Sequence, residues 1–322
     1  MYKQKFLKIS DGMEIAISRW YPDEKVGENG EKIDNVKGVV QLHHGLAEHS
    51  LRYDRLGSIL AENGWVLNAY DMRGHGRTAE NAEKNKTGLF GKLSDKNGFD
   101  RVVDDLEEVI ADVKKEYSGK KIILLGHSFG SFVSQGFIER YGREIDGCIL
   151  SGTAGPRRAL VAAGLFVAKL ITFFNGKNTV SPILDKIAFG NYNARIENPR
   201  TKYDWLSKDE TNVSMYMMDK WCGIDLKNSF YCDMLSGLKQ IHKISNIKKI
   251  PVELPLLLFY GSDDPVGDYG KTVKALYNIY KANGIKKVDI IEYQGNRHES
   301  LNEKNKEIVE KDIISWIHLI SI

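Results

Sequence analysis

Seven short apolar runs recur along the chain and predict β-strands. The runs cover residues 13–20, 38–44, 65–71, 121–127, 147–152, 256–261 and 288–293. Several of them are apolar without alternation, as strands are when both of their faces are covered. A shorter segment near residue 5 leads into the first run through Ser10-Asp11-Gly12, which predicts a hairpin turn.

Between these runs, apolar residues recur at helical spacing. In the segment 101–117 they step by four, three, four and four positions, which marks one helix face: Val102, Leu106, Val109, Val113 and Tyr117. The segment 303–321 carries a similar stripe. This alternation of strands and helices predicts a mostly parallel sheet with helices on both faces.

One stretch breaks the alternation. Between the runs at 147–152 and 256–261 lie about a hundred residues without a clear strand, far more than a crossover helix needs. We interpret residues 155–250 as an inserted, mostly helical cap. The core is then formed by residues 1–154 and 251–322.

Composition narrows the class of protein. The 322 residues are 42% hydrophobic and 28% charged, which is typical of a chain that buries a sizeable core. The net charge of +3 is scattered, so no nucleic-acid surface is indicated. Three widely spaced cysteines form no C-x-x-C pair and fit a reducing compartment. The N-terminal segment lacks the apolar region of a signal peptide, and we expect a soluble, cytoplasmic protein.

The strongest chemical signal is the segment Gly126-His127-Ser128-Phe129-Gly130. It matches G-x-S-x-G, with a predicted strand before it and an amphipathic helix after it, which is the context this motif requires. A serine at such a sharp turn has an exposed hydroxyl, and the flanking glycines leave room for neighbouring backbone. The pattern predicts Ser128 as a nucleophile.

A serine nucleophile needs a base and a group that orients the base, and on such a chain they follow in the order acid, then histidine. The loop after the strand 256–261 offers Asp263, Asp264 and Asp268. Asp264 is preferred because the turn continues into Pro265, and Asp263 remains a competitor. His298 follows the last strand and is the predicted base, since His242 and His318 fall in helix-like segments.

The loop after the strand 38–44 is where this arrangement places an oxyanion hole. The backbone N–H groups of Leu46 and Phe129 are the predicted donors, and Gly45 lets the backbone approach. The nearby histidines at 43, 44 and 49 raise the alternative of a metal site. We reject it because no carboxylate–histidine spacing typical of zinc accompanies them.

Longer stretches resemble a known family. They are HHGLAEHSLRYDRL, YDMRGHG, LLGHSFGS, NPRTKYDWLSKDE with WCG, GSDDPVGDYG and NRHESLNE. In this order, over nearly the whole chain, they resemble the α/β-hydrolases that include monoacylglycerol lipases and bacterial lysophospholipases, also catalogued as serine aminopeptidase-like hydrolases. The resemblance implies an eight-stranded α/β-hydrolase sheet with a cap and a triad of Ser128, Asp264 and His298. It also implies that Glu48 and Arg52 shape the polar end of the substrate pocket.

The expected activity is therefore hydrolysis of a carboxylic ester, with a monoacylglycerol or a lysophospholipid as substrate and without a metal or organic cofactor. The apolar cap segment 159–174 favours a lipid, either as a helix that transiently contacts a membrane surface or as a buried helix that lines an acyl tunnel. An aminopeptidase would need an acidic anchor in the cap, and four carboxylates keep that alternative open: Asp204, Asp209, Glu210 and Asp219. A short-chain esterase and a non-catalytic binding protein are further alternatives.

Overall fold

The computed structural model describes residues 1–23 and 35–321, together with the backbone of residues 25–26 and 32–33. Residues 24, 27–31, 34 and 322 of the predicted core lie outside the described residues. Ten strands are present in this part of the chain: β1 (Tyr2–Lys8), β2 (Glu14–Trp20), β3 (Lys25–Val26), β4 (Lys32–Ile33), β5 (Gly38–His43), β6 (Trp65–Tyr70), β7 (Lys121–His127), β8 (Gly147–Ser151), β9 (Leu256–Gly261) and β10 (Val288–Tyr293).

Eight of these strands form one sheet in the order β1-β2-β6-β5-β7-β8-β9-β10, and β3 pairs with β4 alone. The pairs from β6 through to β10 are parallel. In this sheet β1 pairs with β2, and β2 with β6, in antiparallel fashion, and the predicted turn at Ser10-Asp11-Gly12 joins β1 to β2. The sheet is therefore mostly parallel with an antiparallel edge, and the predicted fold class is confirmed.

Eleven α-helices accompany the described strands: α1 (Asp54–Glu62), α2 (Gly76–Lys84), α3 (Gly98–Glu116), α4 (Phe129–Tyr141), α5 (Arg158–Asn175), α6 (Pro182–Phe189), α7 (Glu210–Met218), α8 (Asn228–Ile241), α9 (Ile244–Ile247), α10 (Lys271–Ala282) and α11 (Lys306–Ser321). Five of them, α5 to α9, lie between β8 and β9, in the stretch that the sequence assigns to the cap. There the described residues contain no strand beyond a single bridge between Val180 and Lys227.

Unbroken apolar strands arise because the sheet is covered on both faces. Neighbouring residues of one strand enter different cores: Leu124 packs in the core beneath α3, α4 and α10, whereas Leu125 packs in the core beneath α1 and α11. Both side chains are fully buried. Each buried leucine stabilises the fold by about 1.5–3 kcal/mol relative to exposure, so the central strands have little freedom to slip.

A buried ion pair fixes the loop after β6 to the helix layer. Arg73 donates to both carboxylate oxygens of Asp105 on α3, with Nη2 at 2.7 Å from Oδ1. Both side chains are almost inaccessible to solvent. Burial raises the pKa of Asp105 even though Arg73 and Arg101 oppose that shift. The carboxylate therefore depends on its cationic partners.

We predict that Arg73→Met lowers the free energy of unfolding by about 3 kcal/mol, because it leaves the buried carboxylate of Asp105 with Arg101 alone. Urea unfolding measures the change. Lys114→Met is the control, since Lys114 pairs with Glu144 at the surface and its loss should cost at most about 1 kcal/mol. Equal losses in the two variants would contradict the role given to the buried pair.

Candidate active site

Ser128 occupies the sharp turn between β7 and α4, as its motif predicts. Its backbone has φ +52° and ψ −119°, a left-handed conformation that side chains other than glycine rarely adopt. The turn is held by the Ser128 N–H, which donates to Ser151 O at 2.9 Å, and by the Ser131 N–H, which donates to Ser128 O at 2.9 Å. The side chain of Ser128 remains partly accessible at the head of α4.

The two glycines of the motif are required by close packing. A Cβ at Gly130 would lie 2.2 Å from His43 O, and one at Gly126 would lie 2.5 Å from Gly130 O. Backbone atoms cannot move aside cheaply at such distances. The turn that presents Ser128 is therefore compatible only with glycine at both positions.

Asp264 and His298 meet beneath the surface of the molecule. Nδ1 of His298 donates to both carboxylate oxygens of Asp264, each at 3.0 Å, and both side chains are at most 1% exposed. The two other acids of the loop have different partners, since Asp263 pairs with Lys208 and Asp268 with Arg157. Of the three acids weighed from the sequence, only Asp264 contacts the histidine.

The surroundings of His298 favour the protonated form of its imidazole. Burial by itself would lower the pKa of His298, but the charge and hydrogen bond of Asp264 outweigh burial, so the pKa lies above its usual value. Its other nitrogen, Nε2, has no hydrogen-bond partner among the described residues. This nitrogen is therefore available to a group in the adjoining cavity.

Two aromatic rings flank this imidazole. The His127 ring centroid lies 4.9 Å from that of His298, and the Trp205 centroid lies 5.1 Å from it. Burial and the neighbouring charge of His298 lower the pKa of His127 to about 4, so His127 is neutral at physiological pH. His127 therefore does not compete with His298 for a proton.

The loop that carries His298 is held by the stretch between β8 and β9 as well as by the sheet. The N–H of His298 donates to Trp205 O at 3.3 Å, and the N–H of Glu299 donates to Leu206 O at 2.7 Å. The guanidinium of Arg297 adds bonds to Asp204 O and Ser207 O. The segment 204–208 thus aligns with the histidine loop and fixes its position.

The N–H groups of the two predicted oxyanion donors, Leu46 and Phe129, are free to bind a ligand atom. Among the described residues, neither the Leu46 N–H nor the Phe129 N–H donates a hydrogen bond to the protein, and Phe129 is the first residue of α4, where helical N–H groups are unpaired. The next residue, Ala47, has φ +52°, and its carbonyl accepts hydrogen bonds from the Gly223 N–H and the Tyr216 hydroxyl. This loop is therefore held in place by α7 and by the segment that follows it.

A cavity of about 500 Å³ adjoins these groups. Ser128, His298, Leu46 and Phe129 all contribute to its wall. The remainder of the wall is largely apolar and comes from α5, α6 and α8, with Val161, Val167, Leu184, Phe189, Leu235 and Leu238 among its members. An elongated apolar substrate can therefore lie in the cavity with its polar end at Ser128.

The three residues predicted to bind substrate occupy different positions. Gly45 lines the cavity, and a Cβ there would lie 3.1 Å from the Cβ of Ser128. Glu48 also lines the cavity, whereas Arg52 does not contribute to its wall. Arg52 instead lies behind Glu48, at 2.8 Å, and binds Glu299 through two bonds of 2.6 and 2.7 Å. Its role in binding substrate stays a prediction.

The Glu48–Arg52–Glu299 cluster is charged even though it is buried. Burial raises the pKa of both carboxyl groups, but the Arg52 guanidinium outweighs burial and lowers the pKa of Glu299 to about 2. Asn212 of α7 also donates to Glu299 at 2.8 Å. Two carboxylates and one guanidinium therefore leave one net negative charge beside the polar end of the cavity.

Sequence reasoning missed Trp205, Glu299 and Asn212. Trp205 lies within the predicted cap segment 155–250, and its ring packs on His298. Glu299 directly follows the predicted base, and that adjacency was the one available signal. Asn212 contributes through a contact spanning 87 residues, which no local pattern records.

The fold and this arrangement of side chains are those of a serine ester hydrolase with the α/β-hydrolase fold. The chain belongs to the family described as serine aminopeptidase, S33, whose model matches residues 34–305. That range includes Ser128, Asp264 and His298 together with the stretch between β8 and β9.

Curated relatives span nearly the whole chain. A monoglyceride lipase homolog of monkeypox virus is 28% identical over 287 residues, which cover 87% of this chain and 89% of that protein. A monoacylglycerol lipase of Mycolicibacterium smegmatis is 25% identical over 308 residues, which cover 95% of this chain and 93% of that protein.

Solved structures share the fold over its full length. A thermostable carboxyl esterase of Bacillus coagulans in complex with glycerol superposes with a TM-score of 0.89 at 27% identity, covering 100% of this chain and 99% of the other. The monoglyceride lipase of Saccharomyces cerevisiae in complex with a substrate analog superposes with a TM-score of 0.74. Its identity of 18%, over 99% of this chain and 96% of the other, supports the fold alone.

The positive φ of Ser128 predicts whether replacing this residue by glycine stabilises or destabilises the protein. Ser128→Gly should raise the free energy of unfolding by about 1 kcal/mol, because glycine tolerates the positive φ and the relief of strain exceeds its entropic cost. Urea unfolding of the purified variant measures this change.

Ser134→Gly is the matched control for that measurement. Ser134 lies in the interior of α4, where glycine should instead lower stability by about 1 kcal/mol. A loss of stability in Ser128→Gly of the same size would show that the turn stores no strain.

Proposed function

We propose that the protein hydrolyses the carboxylic ester of a single-chain glycerolipid through Ser128, His298 and Asp264. The observation that carries the proposal is the buried Asp264–His298 pair, whose free Nε2 adjoins the apolar cavity also lined by Ser128. A hydroxyl is a weak nucleophile unless a neighbouring base takes its proton, and this imidazole is the group in position to do so.

The reaction begins when Oγ of Ser128 attacks the ester carbonyl and His298 accepts the hydroxyl proton at Nε2. Asp264 fixes the imidazole through Nδ1 and stabilises the cation that forms. The negative oxygen of the tetrahedral intermediate is held by the N–H groups of Leu46 and Phe129, each worth roughly 3 kcal/mol of barrier. No step requires a metal or an organic cofactor.

The intermediate then collapses to an acyl-enzyme. The bond to the alcohol breaks, and His298 gives its proton to the leaving oxygen. Water, deprotonated by the same imidazole, attacks the acyl-enzyme and releases the fatty acid together with the free serine. The resting protonation states of Ser128 and His298 are restored.

The charges around the polar end favour an uncharged alcohol. Glu48 and Glu299 outnumber Arg52, and a like charge brought close to them is unfavourable. Of the two lipid classes expected from the sequence, a monoacylglycerol fits this field better than a lysophospholipid with an anionic head group. The glycerol bound to the Bacillus coagulans esterase agrees with such a leaving group.

The aminopeptidase alternative has less support. It needs a carboxylate at the substrate cavity to bind an ammonium group, and the four cap acids weighed for that role do not contribute to the cavity wall, although Asp185 and Asp225 of the same stretch do. Asp209 accepts the first N–H groups of α7, Asp219 binds His49, Asp204 binds Thr201, and Glu210 pairs with Arg200. Each of the four is therefore held away from the cavity by a contact elsewhere.

Exposed apolar residues in the stretch between β8 and β9 support a further element of the proposal, transient contact with a lipid surface. By length and composition α5 could span a membrane, yet Val161, Leu165 and Ala168 are buried against the protein. At its end Phe173 and Phe174 are 82% and 78% exposed. We propose that α5 both lines the cavity and touches the membrane surface of a cytoplasmic protein.

Covalent labelling tests the nucleophile. A fluorophosphonate should label the wild-type protein, and Ser128→Ala should abolish labelling because the reacting oxygen is gone. Ser58→Ala, which changes an exposed serine of α1, should label normally. Persistent labelling of Ser128→Ala at another serine would overturn the assignment, and a wild type that neither labels nor cleaves p-nitrophenyl esters would favour the binding-protein alternative.

A substrate panel tests the preference for an uncharged alcohol. We expect kcat/KM for a monoacylglycerol to exceed that for the lysophosphatidate of the same acyl chain by at least about tenfold, the equivalent of about 1.4 kcal/mol of repulsion. Glu299→Gln should narrow this ratio, since it removes one of the two negative charges. Comparable rates on both lipids, or hydrolysis of aminoacyl amides alone, would refute the preference.

Sedimentation with phospholipid vesicles tests the surface contact. Phe173→Ser with Phe174→Ser should reduce the bound fraction at least about tenfold, because each buried phenyl group contributes about 1.5–3 kcal/mol. Phe6→Ser is the control, since Phe6 is half-exposed but lies in β1. Equal binding of all three proteins would argue against the contact, and hydrolysis of a soluble short ester checks that each variant is folded.

A further inference from the structure

Three potential metal ligands from two distant parts of the chain meet where the loop that carries Leu46 contacts the segment after α7. They are His49, Asp219 and Cys222, and one ligand atom from each lies within 4.8 Å of the other two. Nε2 of His49 lies 2.8 Å from Oδ2 of Asp219. We infer that these three side chains form a binding site for a thiophilic divalent cation such as Zn²⁺.

His49 is the buried member of this group, whereas Asp219 and Cys222 are partly exposed. The His49 side chain is only 4% exposed, and among the described residues its Nδ1 has no hydrogen-bond partner. Cys222 is a partly exposed free thiol, and within the described chain no group hydrogen-bonds to its sulfur. An imidazole and a thiol therefore have unused bonding capacity at the same point.

The local field also favours a cation. Asp219 is ionised because hydrogen bonds from Trp221 N–H and His49 outweigh burial and lower its pKa. The carboxylates of Glu48 and Glu299 also act on the Cys222 thiol, and the guanidinium of Arg52 opposes them. The charges around the thiol therefore sum to minus two before any metal binds.

The ligand chemistry selects the metal. Nitrogen and sulfur ligands suit Zn²⁺ and its congeners, whereas Mg²⁺ and Ca²⁺ prefer oxygen alone. Bond lengths of about 2.0–2.3 Å place tetrahedral ligands about 3.5 Å apart, so side-chain movements of roughly 1 Å would close the group around an ion. The fourth position would be taken by water.

Binding would join two parts of the molecule. His49 belongs to the loop that carries Leu46, whereas Asp219 and Cys222 lie after α7, where the Gly223 N–H already donates to Ala47 O. An ion would add coordinate bonds to this contact. Its first effect would be to stabilise the folded state, independently of whether the protein hydrolyses lipids.

Titration of the chelator-treated, full-length protein with Co²⁺ and Cd²⁺ tests the site. We expect thiolate-to-metal charge-transfer absorption that saturates at one equivalent and is displaced by Zn²⁺. Cys222→Ser should abolish this absorption, and His49→Gln should weaken Zn²⁺ binding by at least about 100-fold. Cys232→Ser is the control, because Cys232 is a partly buried cysteine of α8 that does not belong to the group.

Thermal unfolding gives a second readout. Zn²⁺ should raise the Tm of the wild type and of Cys232→Ser and leave that of Cys222→Ser unchanged. Absence of charge-transfer absorption in the wild type, its persistence in Cys222→Ser, or a Zn²⁺ stabilisation that survives this substitution would each overturn the proposal. Because these measurements do not use a substrate, their failure leaves the proposed hydrolysis untouched.

Discussion

The parallel pairing of β5, β7, β8 and β9 is the constraint on which the whole site depends. In this register Gly126 lies beside His43 on one side and Leu150 on the other, so these strands end at the same edge of the sheet. The loops that leave this edge carry the predicted oxyanion donors Leu46 and Phe129, the predicted nucleophile Ser128 and the predicted acid Asp264. Because both faces of each strand are buried, a slip of one residue would reverse every core side chain, and the geometry at the edge is fixed accordingly.

Much of this edge could be predicted from the sequence. The apolar runs gave the main-sheet strands to within a residue or two, because a strand buried on both faces is apolar throughout. The chain order of Ser128, Asp264 and His298 then followed from strand ends. The choice of Asp264 over Asp263 rested on Pro265, and in the structure Asp264 contacts His298 whereas Asp263 pairs with Lys208.

The contacts between the core and the stretch connecting β8 to β9 could not be predicted. The packing of Trp205 on His298 spans 93 positions, and the bond from His49 to Asp219 spans 170. Helical periodicity shows which face of a helix is apolar. Because α5 is apolar on nearly every face, its sequence pattern could not show which face is buried and which is exposed. Likewise, the rejection of a metal site rested on spacing along the chain, and spacing cannot reveal ligands supplied by a different segment.

The alignment of the segment 204–208 with the loop that carries His298 ties the predicted base to the stretch between β8 and β9. Movement of that whole stretch as one body would break the bonds from the His298 and Glu299 N–H groups to Trp205 O and Leu206 O. A displacement confined to α5 and α6 would leave both bonds intact. Attempts to widen substrate range by replacing this stretch should accordingly retain residues 204–208, because they hold the loop of the predicted base in position.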